Sequence, residues 1–198
     1  MLNAVHNQRG FSLLELMIAI AIASLLMMLG APSFVLWIQN SQTRTAAEAI
    51  QNGLQLARAE AVKRNGRVQI ELCGLPNSSW QIEAITNTAA VEAQSFACPA
   101  AVPVAGEVRI QERSAQEGSS NTVVSVTRSD ASTATTGSAM LTFNGMGQVT
   151  TNSDTSAALT RVDVTNPRGD RPLSITINAG GSIHMCNPSL PSSDPQGC

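Results

Sequence analysis

At 198 residues, with 43% hydrophobic but only 13% charged and 3% aromatic residues and no tyrosine, the chain departs from the profile of an ordinary soluble enzyme and has room for one or two domains. Twelve basic residues against fourteen acidic ones leave a formal net charge of -2, which disfavours bulk, non-specific nucleic-acid binding while leaving room for a local basic patch. Four cysteines without a Cys-x-x-Cys spacing, and only two histidines, make no zinc set, and no metal or cofactor is expected.

Residues 1–10 (MLNAVHNQRG) carry Arg9 and lead into an apolar run from Phe11 to Ile38 whose one charged residue is Glu15. That run meets the roughly 20 residues needed to cross a bilayer as a helix. It exceeds the roughly 7–15-residue apolar core of a secretory signal. With Arg9 ahead of it and no further basic residue until Arg44, positive charge holds residues 1–10 in the cytoplasm and sends the C-terminal bulk outside. The expectation is export with a single-pass anchor retained. A carboxylate within a membrane helix costs about 2.5–3.5 kcal/mol at its centre. Glu15 therefore either stays hydrated or protonated near the interface or meets a cation from another subunit. Pro32 lacks a backbone donor and is placed to kink or loosen the helix.

The stretch Arg9-Gly10-Phe11-Ser12-Leu13-Leu14-Glu15-Leu16 resembles the type IV pilin signature. The resemblance implies that a prepilin peptidase cuts between Gly10 and Phe11 and methylates the new Phe11 amine. It also implies that Glu15, fifth in the mature chain, pairs with the Phe11 amine of a neighbouring subunit during filament assembly. Pro32 falls where many pilins carry a helix-loosening proline.

After Trp37 the sequence becomes alanine-rich, with Glu, Gln and Arg, all good helix formers. Ala46, Ala49, Ile50, Leu54, Ala57, Ala61 and Val62 fall near helical spacing. Gly53 weakens the helix by about 1 kcal/mol without ending it. Asn65-Gly66 is the stop, preceded by Lys63 and Arg64 at the negative helix end. Arg58 and Glu60 read as a solvated face. The segment Leu54–Asn65 resembles the helix end of the GspH/FimT branch of pilin-like proteins, in which the helix leads directly into the first strand.

Beyond Gly66, β-rich runs are expected at Arg67–Cys73, Trp80–Ile85, Val108–Glu112, Thr122–Thr127, Ala139–Phe143, Leu159–Val164, Leu173–Ile177 and Ser182–Met185. Ser129–Ser138 reads as a surface loop. The expected class is α+β: a long N-terminal helix packed on a small antiparallel β-sandwich head. Its divisions are a leader at 1–10, a membrane or filament-core segment at 11–38, an amphipathic continuation at 39–65 and a β-rich head at 66–198. In an exported head the four cysteines form two disulfides, with three pairings possible. The local pairs Cys73–Cys98 and Cys186–Cys198 are favoured.

Catalytic patterns do not emerge. His184 is the single histidine outside the leader, and no nucleophile elbow, phosphate loop or HExxH sequence is present. Asp154, Asp163, Asp170 and Asp194 lack calcium-loop spacing. The C-terminal stretch around Ile175–Pro188 resembles the end of FimT- and FimU-like minor pilins. DNA-uptake members carry a GRxR-type motif there, whereas this chain has Gly181-Ser182-Ile183-His184, with serine and histidine in place of the arginines. Arg161, Arg168, Arg171 and His184 remain the candidate DNA contacts. A structural role as a minor pilin or pseudopilin, initiating or capping a type IV pilus or type II secretion pseudopilus, is expected ahead of a DNA-receptor role. A membrane-anchored enzyme comes last. The implied partners are the prepilin peptidase, other pilins or pseudopilins, and the inner membrane.

Overall fold

The computed structural model describes residues 11–85 and 107–198, apart from the side chains of residues 29–32 and 107. Leader residues 1–10, and with them Gly10, lie outside the described residues, as do Phe96 and Cys98. The chain divides into two units, one ending at Trp37 and one running from Ile38 to Cys198.

Helix α1 spans Leu13–Arg64. Ser12 caps its start: the Ser12 hydroxyl accepts from the Glu15 amide at 3.2 Å, and the Ser12 carbonyl receives the Leu16 N–H. Ser12-x-x-Glu15 thus has the sequence of a capping box, with the carboxylate in the first turn at the positive end of the helix dipole. Among the described residues no single helix is both long and apolar enough to cross a membrane. Leu13–Met28 and Ser33–Arg64 pass together, as a bent pair. Pro32 falls in the break between them. The bend falls at the proline expected to kink or loosen the helix.

In the second unit, α1 buries Thr43, Ala46, Ala47, Ile50, Gly53, Leu54, Ala57 and Ala61, a stripe of three- and four-residue steps. Ala47 and Thr43 join the stripe unannounced by the sequence pattern, while Val62, expected in it, is 51% exposed. The abundance of small residues lets the helix lie close to the sheet. At Gly53 a Cβ would meet Ile70 Cδ1 and the Trp80 ring at 3.1 Å, so the glycine that weakens the helix is the notch that admits the Trp80 indole. A Schellman turn ends α1: the Gly66 N–H reaches the Ala61 carbonyl and the Asn65 N–H that of Val62, with Asn65 at φ 47°.

Among the described residues ten strands follow: β1 Arg67–Leu75, β2 Ser79–Ile85, β3 Glu107–Arg113, β4 Val123–Arg128, β5 Thr133–Ala134, β6 Gly137–Phe143, β7 Val149–Thr150, β8 Leu159–Thr165, β9 Leu173–Ile177 and β10 Ile183–Cys186. They form two five-stranded sheets, in the orders β3-β2-β1-β6-β7 and β10-β9-β8-β4-β5, antiparallel at every pairing of named strands. All eight expected runs are strands. The two extra ones are only two residues long, too short to show a period, and β5 sits inside the expected Ser129–Ser138 loop. Inward side chains of both sheets (Ile70, Leu72, Ile82, Leu141, Phe143, Val162, Ile175) join Ile50 and Leu54 of α1 in one hydrophobic core. The α+β architecture read from sequence is the one observed.

Candidate functional site

Three regions bear on function, beginning with the N-terminal half of α1. Phe11 is 84% exposed, and Leu13, Leu14, Met17, Ile18 and Leu25 are also exposed. Glu15 shares that exposure and makes no ion pair among the described residues, its amide being held by Ser12. An apolar surface this continuous is costly in water and calls for lipid or other helices.

The second region is where the C-terminal half of α1 meets two loops of the head. Arg58 Nε donates to the Gly147 carbonyl at 3.0 Å. Gly147 and Gly181 have φ of 74° and 80°. A Cβ on Gly181 would collide with the Gly147 carbonyl oxygen, and Val149 N–H reaches the Ala179 carbonyl at 3.1 Å. Arg58, expected merely to be solvated, therefore ties the helix to the β6–β7 turn, and Gly181 lets the β9–β10 turn close over it. Glu60, by contrast, pairs locally with Lys63 and Arg64 at 2.9 and 2.8 Å, and those two cations hold its carboxyl below the usual range.

The third region holds the candidate cations of the head. Arg161 lies in β8, within the run expected as a strand; its Nε is 2.7 Å from Asp163 Oδ1, and it donates to Ser174 Oγ at 3.0 Å. Ser174 also donates to Asp163. This closed trio spends the charge of Arg161 within the sheet. His184, exposed in β10, shares a cross-strand row with Arg161, since both pair with Thr176 of β9. Arg168 and Arg171 are exposed in the β8–β9 loop, beyond the end of β8 at Thr165; Arg171 is five residues ahead of Thr176, the β9 partner of Arg161, roughly 17 Å in an extended strand. The four residues therefore do not converge on one basic surface. Beside them Cys186 and Cys198 form the expected disulfide, with Cα atoms 5.1 Å apart. Cys73 is buried in β1, and Cys98, the partner expected for it, lies outside the described residues.

Buried polar chemistry occurs elsewhere. On the face of β1 and β2 turned from the core, Glu71 accepts from Gln81 Nε2 at 3.0 Å, and Gln69 meets Thr142 and Ser153. Burial above all pushes the Glu71 carboxyl up to about 7; Ser138 and Gln81 pull it down, and Glu83 and Asp154 raise it further. Between α1 and β3 an open groove of about 480 Å³ is lined by Thr45, Asn52, Trp80, Gln111 and Arg113 among others. Among the described residues no group of three or more potential metal ligands is found.

Comparison with known proteins matches residues 46–181 to the family model "Type II transport protein GspH", and residues 5–31 to "Prokaryotic N-terminal methylation motif". No curated protein sequence matches the chain. Two crystal structures of the type IV minor pilin FimU of Pseudomonas aeruginosa are similar to it. One is 18% identical, with a TM-score of 0.42, covering 78% of this chain and 98% of that one. The other is 19% identical, with a TM-score of 0.41 and coverages of 78% and 93%. With a family model matched over more than half its length, the chain belongs to the GspH family of type IV pilin-like proteins, the structural subunits of pili and pseudopili.

Proposed function

We propose that this chain is a minor pilin or pseudopilin, cut between Gly10 and Phe11 by the prepilin peptidase and methylated on the Phe11 amine. Before assembly it is held in the inner membrane by the apolar half of α1, with the head in the periplasm. It then enters a filament through that same half, where it helps to initiate or cap assembly with other pilins or pseudopilins. The exposed run of large apolar side chains from Phe11 onwards carries the reading, because nothing among the described residues of its unit covers it. Glu15, without a cation partner among the described residues, is free to pair with the amine of a neighbouring Phe11. Such a pair in lipid replaces a cost of several kcal/mol with a charge-assisted bond. No catalytic step is assigned to the protein.

Co-expression with a prepilin peptidase, followed by intact mass measurement, tests the proposal. The expected mass is that of the chain from Phe11 plus one methyl group, and Gly10→Asp should leave the leader attached. Normal maturation of the Gly10 variant would overturn the reading. A DNA-receptor role has less support, because Arg161 is spent on Asp163 and His184 stands far from Arg168 and Arg171 along the sheet.

A further inference from the structure

The β8–β9 loop, Asn166-Pro167-Arg168-Gly169-Asp170-Arg171-Pro172, is fixed to one residue of α1. Asn40 Nδ2 donates to Asp170 Oδ1 at 2.7 Å, and the Asp170 N–H returns a bond to Asn40 Oδ1 at 3.1 Å. A Cβ on Gly169 would lie 3.0 Å from that same Asn40 oxygen, so the loop backbone presses directly against the helix. Within the loop, Asn166 accepts the Arg168 N–H on its side chain and the Gly169 N–H on its carbonyl. Pro167 and Pro172 fix φ at both ends. The result is a stiff loop that presents two exposed arginines with no ion pair among the described residues. Its one acid, Asp170, has an oxygen engaged by the Asn40 amide. The nearby helix cation, Arg44, is paired with Glu48 at 2.7 Å, and the neighbouring contact is uncharged, Asn121 to Gln42.

Asn40 stands two residues beyond Ile38, the last residue of the apolar run, a distance of at most about 7 Å of chain. A loop clamped to Asn40 is therefore held near the point where that run leaves the bilayer. We propose that Arg168 and Arg171 bind anionic phospholipid headgroups of the leaflet from which the head emerges. The inference rests on the anchoring reading above. Guanidinium groups engage phosphate with paired donors, and tethering supplies the high effective concentration that lets two contacts suffice. Duplex DNA, met from free solution, needs many more phosphate contacts to bind at physiological salt. A lipid surface is the occupant that fits.

The test uses the mature full chain in nanodiscs of phosphatidylcholine alone or of an equimolar mixture with phosphatidylglycerol, followed by amide hydrogen exchange. Exchange across 168–171 is expected to slow on the order of fivefold or more in the anionic discs. The slowing should disappear in high salt and in the Arg168→Gln/Arg171→Gln variant. Equal exchange in both discs, with Leu13–Met28 still protected, overturns this inference and leaves the anchoring reading standing. Free exchange over Leu13–Met28 in both discs overturns the anchoring reading, and this inference with it. Slowing caused only by an added short DNA duplex overturns the lipid assignment in favour of DNA.

Discussion

Glu71 shows how one side chain couples this head to pH. Its Oε1 and the Oε1 of Gln81 are both buried acceptors without a donor, so protonation supplies what the pair lacks. Because burial raises the folded-state value to about 7 from 4.5, the folded chain holds this proton more tightly than the unfolded chain. The contribution is therefore fully present below about pH 4.5 and is lost as pH rises towards 7, by up to roughly 3 kcal/mol. Melting temperatures of the natural chain should fall across that interval. Glu71→Gln, which keeps a donor at every pH, should flatten the dependence and melt higher than the natural chain above pH 7. An unchanged slope in the variant would show that another group carries it.

At the scale of elements, the disulfide closes the segment after β10 back on its last residue, Cys186, and the Asn187 N–H bonds to the Gln196 carbonyl at 2.6 Å. Cys198→Ser should release this tail and cost about 3 kcal/mol, the loop-entropy figure for a ring of this size. Urea titration would read the loss, and faster exchange at Asn187 would locate it. This pairing was legible in the sequence because two nearby cysteines in a strand-rich head read as exported have few other partners. The eight longer strands were legible too, since each shows a period or a β-branched run between turn residues. The capping geometry at Ser12 and the work of Gly53, Arg58 and Gly181 were not. Each depends on a partner distant in the chain or on backbone geometry: Trp80 for Gly53, Gly147 for the other two, helix entry for Ser12. A one-dimensional pattern carries periodicity and turn chemistry, not which loop will face which helix residue. For the same reason Arg161 stood as a candidate DNA contact until the pairing of β8 with β9 set it beside Asp163 and Ser174.

For the whole molecule, the two ends of α1 answer to different surroundings, and a substitution can separate them. Glu15→Val removes the lone charge from the apolar half without touching the head. It is expected to be cleaved after Gly10 and to insert into membranes normally, yet to enter filaments about tenfold less or worse, since a buried amine is left unpaired. Quantifying the subunit in sheared filaments against the membrane fraction checks this; equal incorporation would assign Glu15 to helix capping alone. The Gly53 notch has a mechanical meaning in turn. The Trp80 indole seated in it blocks the head-bound part of α1 from sliding or turning against β1 and β2. A pull along that helix is therefore resisted as shear at a keyed joint, and the force enters the head where the Trp80 ring meets the helix at Gly53.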